Sequence, residues 1–163
     1  MELTNRFLTD TDKREICAWH YEGEYALYDL PPYEKMKAQG CAFFNPERER
    51  NYRGFFDGGK LVGFVNILEE EREVFIGIGV APNLCGRGYG REMLLEAYGI
   101  SKGKYPGKSL YLEVRTWNQR AVRCYQNAGF QIDGEPFEQV TQMGIGTFYR
   151  MTSQNPRLSR GLD

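Results

Sequence analysis

Short runs of apolar and aromatic residues, separated by turn residues, predict most of the strands in this chain. The segment NYRGFFDGGKLVGFVNILEE (51–70) has two such runs around Asp57-Gly58-Gly59, which predicts a β-hairpin. A second turn leads into a strand over EVFIGIGV (73–80). That turn lies in an acidic cluster made of Glu69, Glu70, Glu71 and Glu73. Further strands are predicted at 5–9, 109–114, 130–134 and 146–152.

Apolar residues at helical spacing predict four helices between these strands. The first is expected to be capped by Asp10 or Asp12 and to carry Ile16, Cys17 and Trp19. The others are predicted between Pro31-Pro32 and Gly40, after the glycines at 86–90, and over 119–128, with Asn118 as cap and Gly129 at the end. The order is strand, two helices, a three-strand meander, helix, strand, helix and two strands. It indicates an α+β fold with a mixed sheet.

Length and composition fit one globular domain over residues 1–152, followed by a polar tail at 153–163. The 163 residues are 41% hydrophobic and 26% charged, with a net charge of −1, which argues against nucleic acid as the main partner. No apolar run approaches the roughly 20 residues that a membrane span needs, and the first ten residues do not resemble a signal peptide. We therefore expect a cytoplasmic protein without a membrane partner.

The cysteines and the single histidine predict neither a metal site nor a catalytic triad. The four cysteines are far apart, form no CxxC pair and have one histidine to join them, so thiols in a reducing cytoplasm are expected. A triad would need His20, but the chain has no GxSxG motif. We interpret His20 as an ordinary, partly buried residue.

The glycine-rich segment IGIGVAPNLCGRGYGR (76–91) points to a phosphate-bearing ligand, because glycine between a strand and a helix lets phosphate approach the main chain. A dinucleotide fingerprint is incomplete, since Arg91 stands where its third glycine should be. A Walker A loop at 54–61 is also incomplete, since Leu61 replaces the hydroxyl residue. Coenzyme A is the third candidate. Alternatively, the glycines of this segment could mark only a bulged strand and a flexible turn that bind no ligand.

Two motifs in the right order resemble the GCN5-related N-acetyltransferases. The first is Val80-Ala81-Pro82 followed by GRGYG (86–90), and the second is NQRAVRCYQNAGF (118–130). One departure is Cys85, where the family usually has glutamine or arginine. The resemblance implies a mixed, mostly antiparallel sheet flanked by helices, with a splayed strand pair (76–80 and 109–114) forming an acetyl-CoA cleft.

The resemblance also implies which residues bind acetyl-CoA, the expected co-substrate. The pantetheine arm would lie beside the strand at Ile78, Gly79 and Val80. Backbone N–H groups at the start of the following helix would hold the pyrophosphate. The remaining implied cofactor-binding residues are Gly86, Arg87, Gly88, Tyr89, Gly90, Arg91, Asn118 and Tyr125.

For catalysis, the resemblance places a general acid at Tyr125, which would protonate the departing thiolate, and an oxyanion donor at the Val80 N–H. Glu113 is the candidate base, since a carboxylate on a strand built for burial has a raised pKa. Its spacing to Tyr125 is similar to that in the subgroup that acetylates the N-terminal amines of ribosomal proteins. Tyr125 could instead pack on the sheet, and Glu113 could pair with a cation. Cys124 is interpreted as a core residue, which favours direct transfer.

The expected acceptor is a primary amine of a small molecule, a polyamine or a peptide. In the resemblance, specificity depends on residues 19–33 and 135–151, and both segments are rich in aromatic and acidic residues. One alternative from another class is an acyl-CoA-binding sensor with weak turnover. Others are an O-acyltransferase and an enzyme for longer acyl chains. The family also commonly dimerises through its closing strands, so a homodimer is one option for this chain.

Overall fold

The computed structural model describes residues 1–153, which form eight strands, four α-helices and several 3-10 turns. The strands are β1 (Leu3–Phe7), β2 (Tyr52–Asp57), β3 (Lys60–Glu69), β4 (Glu73–Val80), β5 (Ser109–Arg115), β6 (Gln131–Ile132), β7 (Phe137–Thr141) and β8 (Gly144–Ser153). The helices are α1 (Asp10–Cys17), α2 (Tyr33–Gln39), α3 (Tyr89–Lys104) and α4 (Gln119–Asn127). The 3-10 turns are Gly23–Tyr28, Ala42–Phe44, Glu49–Asn51 and Pro82–Leu84.

The first of two compact units contains residues 1–66 and 78–89. In it, β1 pairs with β2 and β2 pairs with β3, both antiparallel. Gly58 and Gly59 both have positive φ (60° and 82°), which two-residue hairpin turns require, and the predicted hairpin is confirmed. The core of this unit is built from Leu8, Ile16, Cys17, Tyr33, Met36, Phe43, Tyr52, Phe56 and Leu61.

The second unit contains, among the described residues, 67–77 and 90–153. Parallel pairing joins β4 to β5 at Glu73–Phe75 and Ser109–Tyr111, and β5 pairs antiparallel with β8. Both β6 and β7 also pair antiparallel with β8. The side chains of β5 alternate, with Leu110, Leu112 and Val114 buried on one face. Tyr111, Glu113 and Arg115 consequently lie on the other, half-buried face of this strand.

The start of α1 differs from the prediction. Thr9 is the N-cap, with its hydroxyl accepting from the Asp12 N–H, while the Asp12 carboxylate accepts from the Thr9 N–H at 2.8 Å. This reciprocal capping satisfies two N–H groups that would otherwise lack partners. The first strand consequently ends at Phe7 and leaves Thr9 for the cap, and Trp19 lies beyond the end of α1.

The end of the chain also differs from the prediction. The strand expected at 130–134 is reduced to Gln131–Ile132, and β7 precedes a longer β8 where one strand was expected at 146–152. Ser153, assigned to the polar tail, closes β8 and is buried. The rest of the predicted tail, 154–163, lies outside the described residues.

The architecture confirms the predicted class, an α+β fold with a mixed, mostly antiparallel sheet flanked by helices. The splaying of β4 from β5 into a cofactor cleft stays a prediction, as does the assignment of residues 1–152 to one domain. Among residues 1–153, no helix is long and apolar enough to cross a membrane.

Candidate functional site

The glycine-rich loop after β4 has a backbone that only glycine adopts readily. Gly86 and Gly88 have φ of 80° and 88°, and a Cβ at either position would meet no heavy atom closer than 3.9 Å. The glycines are therefore required by the backbone and not by crowding within the protein. Gly86, Arg87 and Gly88 are all exposed. The loop thus presents its main chain to solvent immediately before α3.

The first residue of α3 is fixed to the hairpin turn. The Tyr89 hydroxyl donates to Asp57 Oδ2 at 2.6 Å, and this bond raises the pKa of Tyr89. Further along the helix, Arg91 Nε donates to the Asn127 carbonyl at the end of α4, at 3.1 Å. The side chains of Tyr89 and Arg91 thus have structural partners that hold the start of α3 in place. Gly90 lies between them and is buried.

The last residues of β4, Ile78 to Val80, are half-buried, and Gly79 has a steric reason to be glycine. A Cβ on Gly79 would lie 2.5 Å from Phe64 Cε1 on β3. The Phe64 ring is held among Trp19, Phe43 and Tyr52, with centroids 6.2–6.3 Å apart. The aromatic cluster therefore contacts the backbone of β4 directly.

We expect Gly79→Ala to destabilise the protein by about 1–3 kcal/mol, because the packed Phe64 ring must move. Phe64→Leu removes the ring edge that the new methyl group would meet. The Gly79→Ala/Phe64→Leu double variant should therefore be more stable than the sum of the two single changes predicts, as measured by urea unfolding. Strict additivity of the two effects would contradict the contact.

Helix α4 carries two of the predicted site residues. Asn118 is buried and caps the helix as predicted, its side-chain oxygen accepting from the Ala121 N–H at 3.1 Å. Tyr125 lies two turns further on and is half-buried. The backbone N–H groups of Ala128 and Phe130 donate to its carbonyl at 3.1 Å and 2.9 Å. Gly129 has φ of 93°, so the predicted left-handed end of this helix is confirmed.

Glu113 lies on the half-buried face of β5, between Tyr111 and Arg115. Burial raises the pKa of Glu113, although Arg150 and a hydrogen bond from Gln139 act in the opposite direction. The expected raised pKa is therefore present, and its main cause is desolvation. A carboxyl group with this shift can accept a proton closer to neutral pH.

Arg150, which is not among the predicted site residues, lies directly opposite Glu113 in the β5–β8 register. Both terminal nitrogens of Arg150 donate to the Glu73 carboxylate, one at 3.0 Å, and its Nε donates to Asp133 at 3.3 Å. Its guanidinium also lies 4.4 Å from the centre of the Tyr111 ring. The carboxylates that bind Arg150 are thus those of Glu73 and Asp133, although Glu113 lies opposite it in the strand pair. Only the strand register, which spacing along the chain does not give, could have revealed this.

The acidic cluster is a turn in which the carboxylates of Glu69, Glu70 and Glu73 have partners in the protein. Glu69 accepts from Lys108 at 2.8 Å, Glu70 accepts from the Tyr111 hydroxyl at 2.7 Å, and Glu73 binds Arg150. These contacts favour the structural interpretation of the cluster over a substrate-binding one. No group of His, Cys, Asp or Glu side chains in residues 1–153 is arranged to hold a metal ion.

His20 differs from the prediction of a partly buried residue. Its side chain is 80% exposed, and Nδ1 lies 3.1 Å from the Asp29 carboxylate. His20 is exposed because it follows the end of α1. The neighbouring side chain, Trp19, packs against Phe64 instead.

The fold is α+β with an exposed glycine-rich loop before α3, and comparisons with known proteins identify the family. The sequence model of the Acetyltransferase (GNAT) family matches residues 13–130. This match covers well over half of the chain, so the chain belongs to the GNAT family, as the two motifs indicated.

Individual relatives agree with this assignment. The chain is 39% identical over 99 residues to the N-alpha-acetyltransferase RimI of Mycobacterium tuberculosis, an alignment that covers 55% of this chain and 60% of that protein. A chimera of the Vibrio cholerae spermidine N-acetyltransferase SpeG with hSSAT has a TM-score of 0.73 at 23% identity, covering 98% of each chain. The Vibrio cholerae spermidine N-acetyltransferase in complex with CoA and spermine has a TM-score of 0.68 at 23% identity, covering 92% and 94%.

Proposed function

We propose that this chain is an N-acetyltransferase that transfers the acetyl group of acetyl-CoA to a primary amine by direct attack in a ternary complex. The observation that carries the proposal is the exposed loop Gly86-Arg87-Gly88, whose two left-handed glycines lead directly into the first turn of α3. A helix N-terminus has unpaired N–H groups and a positive dipole end, and both attract phosphate. Family membership makes coenzyme A the phosphate-bearing ligand to expect there.

The residues present fit this ligand. The main chain of Gly86 to Arg91 would contact the pyrophosphate, and Arg87, which is exposed between the glycines, would add positive charge. Ile78, Gly79 and Val80 would bond to the pantetheine arm through their backbone, with the Val80 N–H stabilising the tetrahedral oxyanion. Asn118 and Tyr125 complete the proposed set of cofactor contacts.

In this proposal Glu113 accepts the proton of the acceptor ammonium, directly or through water, and Tyr125 protonates the departing thiolate. The alternative for Glu113 is a structural ion pair with Arg150. Two observations favour the base: Arg150 already binds Glu73 and Asp133, and burial outweighs Arg150 in setting the pKa of Glu113. A carboxylate held mainly by an ion pair would instead have a lowered pKa.

We expect the kcat/KM of the wild-type enzyme to rise with pH through an apparent pKa above that of an ordinary glutamate, since Glu113 must be ionised to act. Glu113→Gln should remove this limb and lower kcat/KM by about 10²–10⁴-fold, the usual contribution of general acid–base catalysis. The measurement is a pH profile of both proteins at subsaturating amine. A Glu113→Gln protein with wild-type kcat/KM across the pH range would end this assignment.

The same raised pKa has a consequence for stability. The folded state holds the Glu113 proton more tightly than the unfolded state, so its ionisation disfavours folding. The penalty is absent below the unfolded pKa and complete above the folded pKa. The Tm of Glu113→Gln should therefore exceed the Tm of wild type by more at neutral pH than in acid. Thermal unfolding of both proteins across this pH range measures the difference.

The central test is calorimetric titration with acetyl-CoA, with NAD and ATP as controls. We expect micromolar binding of acetyl-CoA and no comparable binding of the two nucleotides. Absence of binding by both acetyl-CoA and CoA would refute the proposal. Binding without acetyl transfer to any amine would instead favour the sensor or regulatory domain.

The acceptor is proposed only as a primary amine. A screen should compare spermidine, lysine and peptides with a free N-terminus, because the relatives above include spermidine and N-alpha acetyltransferases. Binding of a cationic amine fits the aromatic and acidic side chains of 19–33, which include Trp19 and Glu24. A cytoplasmic location and a homodimer through the closing strands belong to the same proposal.

A further inference from the structure

The peptide that joins Val80 to Ala81 is held at both ends. The Ala81 N–H donates to the Val62 carbonyl on β3 at 2.9 Å, and the Tyr21 hydroxyl donates to the Val80 carbonyl at 2.6 Å. A trans peptide is planar, and its C=O and N–H point in opposite directions. The two bonds therefore fix the rotation of this peptide at the end of β4.

Tyr21 is itself held in place. Its backbone N–H donates to Asp29 Oδ1 at 2.8 Å, and the other oxygen of that carboxylate lies 3.1 Å from His20 Nδ1. The bond from Tyr21 is the main cause of the lowered pKa of Asp29, so the carboxylate stays ionised at neutral pH. Two residues earlier, Trp19 contacts the Phe64 ring, which in turn fills the space beside Gly79. The segment from Trp19 to Tyr21 thus contacts Val80 directly through Tyr21, and it supports the Phe64 ring beside Gly79 through Trp19.

This arrangement bears on the proposed oxyanion donor. In an extended strand the N–H and C=O of one residue point to the same edge. Because the Ala81 N–H points to β3, the Val80 carbonyl and the Val80 N–H both point to the opposite edge. The Tyr21 hydroxyl therefore lies on the edge at which the Val80 N–H would meet the acetyl group.

We propose that Tyr21 is a positioning residue for acetyl transfer, which aims the Val80 N–H at the thioester carbonyl by fixing the Val80 carbonyl. This inference rests on the proposed function. Tyr21 acts through Val80 and exchanges no proton with the substrates. Its effect is on kcat, since an aligned oxyanion donor stabilises the transition state more than the ground state.

The experiment uses the full chain and acetyl-CoA labelled with carbon-13 at the thioester carbonyl, without an acceptor amine. Isotope-edited infrared difference spectra report the hydrogen bond to this carbonyl, because a donated bond lowers its stretching frequency. Calorimetry on the same samples gives the affinity for acetyl-CoA. In wild type we expect a lowered frequency. In Tyr21→Phe we expect a frequency closer to that of unbound acetyl-CoA, unchanged affinity and a kcat about tenfold lower.

Two controls separate positioning from stability. Tyr33→Phe loses a hydroxyl that donates to Asp10 and should lower stability without changing the carbonyl frequency. Asp29→Asn keeps an oxygen for the Tyr21 N–H and should resemble wild type, whereas Asp29→Ala should shift the frequency in the same direction as Tyr21→Phe. This second pair tests the inference even if Tyr21→Phe does not fold.

The failures are distinguishable. If wild type binds acetyl-CoA with a lowered carbonyl frequency and Tyr21→Phe and Asp29→Ala leave frequency and kcat unchanged, the role of Tyr21 is refuted and the proposed function stands. If wild type binds no acetyl-CoA, the proposed function fails, and the role of Tyr21 fails with it.

Discussion

Tyr125→Phe should lower kcat by about 10²–10⁴-fold, the loss expected when a general acid is removed, with a much smaller loss of acetyl-CoA affinity from the missing hydroxyl. The phenol carries a hydroxyl proton that it can give to the departing thiolate. The change should spare the helix. The carbonyl of residue 125 takes part in the backbone bonds that end α4, and Asn118 caps its start, so neither end depends on the hydroxyl. Steady-state kinetics and calorimetry measure the two quantities.

The matched control is Tyr105→Phe. Tyr105 is also half-buried, but it lies in the turn after α3 and outside the proposed machinery. This variant should keep kcat within the error of the assay. A Tyr125→Phe enzyme that turns over at the wild-type rate would remove Tyr125 from the mechanism and leave a packing role. An equal loss of affinity and kcat would point to a cofactor contact alone.

The second large effect is expected at the glycine-rich loop. Gly88→Ala should weaken acetyl-CoA binding about tenfold or more. An L-residue pays roughly 1–2 kcal/mol in the left-handed region, so the free loop should relax out of it, and binding must restore the strained conformation. Gly88 has φ of 88°, and its Cβ would meet nothing closer than Met1 Cε at 3.9 Å, so the cost comes from the backbone and not from crowding. The added methyl group would also hinder approach of a phosphate to the main chain. Calorimetry with acetyl-CoA and with CoA measures the loss.

Gly99→Ala is the control for this change. Gly99 is exposed within α3, and its Cβ would have no heavy atom within 4 Å. Alanine favours the helix there, so this variant should gain about 0.5–1 kcal/mol in free energy of unfolding without a change in affinity. If Gly88→Ala binds acetyl-CoA as tightly as wild type, the loop does not hold the pyrophosphate in the way proposed.

The fold could be predicted well because most of its signals are local. The hairpin at Gly58-Gly59, the strand Glu73–Val80 and the cap at Asn118 each depend on residues within a few positions of one another. The prediction failed where two local signals competed. Thr9 and Asp12 share the cap of α1, and a rule that looks for one capping acid finds Asp12 and overlooks its partner.

The site could be predicted only as far as its motifs reach. The loop and α4 contain recognisable residue spacings, so their glycines, Asn118 and Tyr125 could be proposed as site residues from sequence, and these assignments stay predictions. The contacts around them join residues far apart in the chain: Tyr21 with Val80, Phe64 with Gly79 and Glu113 with Arg150. Such pairs depend on strand register and on which side chains point into the core. Neither the register nor these side-chain directions can be derived from a single sequence.

The contact between Phe64 and Gly79 also restricts the order in which this chain can diverge. Alanine at 79 meets the ring at once, whereas a smaller residue at 64 leaves a gap that the cluster can partly fill. A lineage that exchanges both residues therefore passes more easily through the change at 64 first. The glycine at 79 is thus tied to the aromatic residue at 64 on the neighbouring strand, so a change at either position alters which residues the other tolerates.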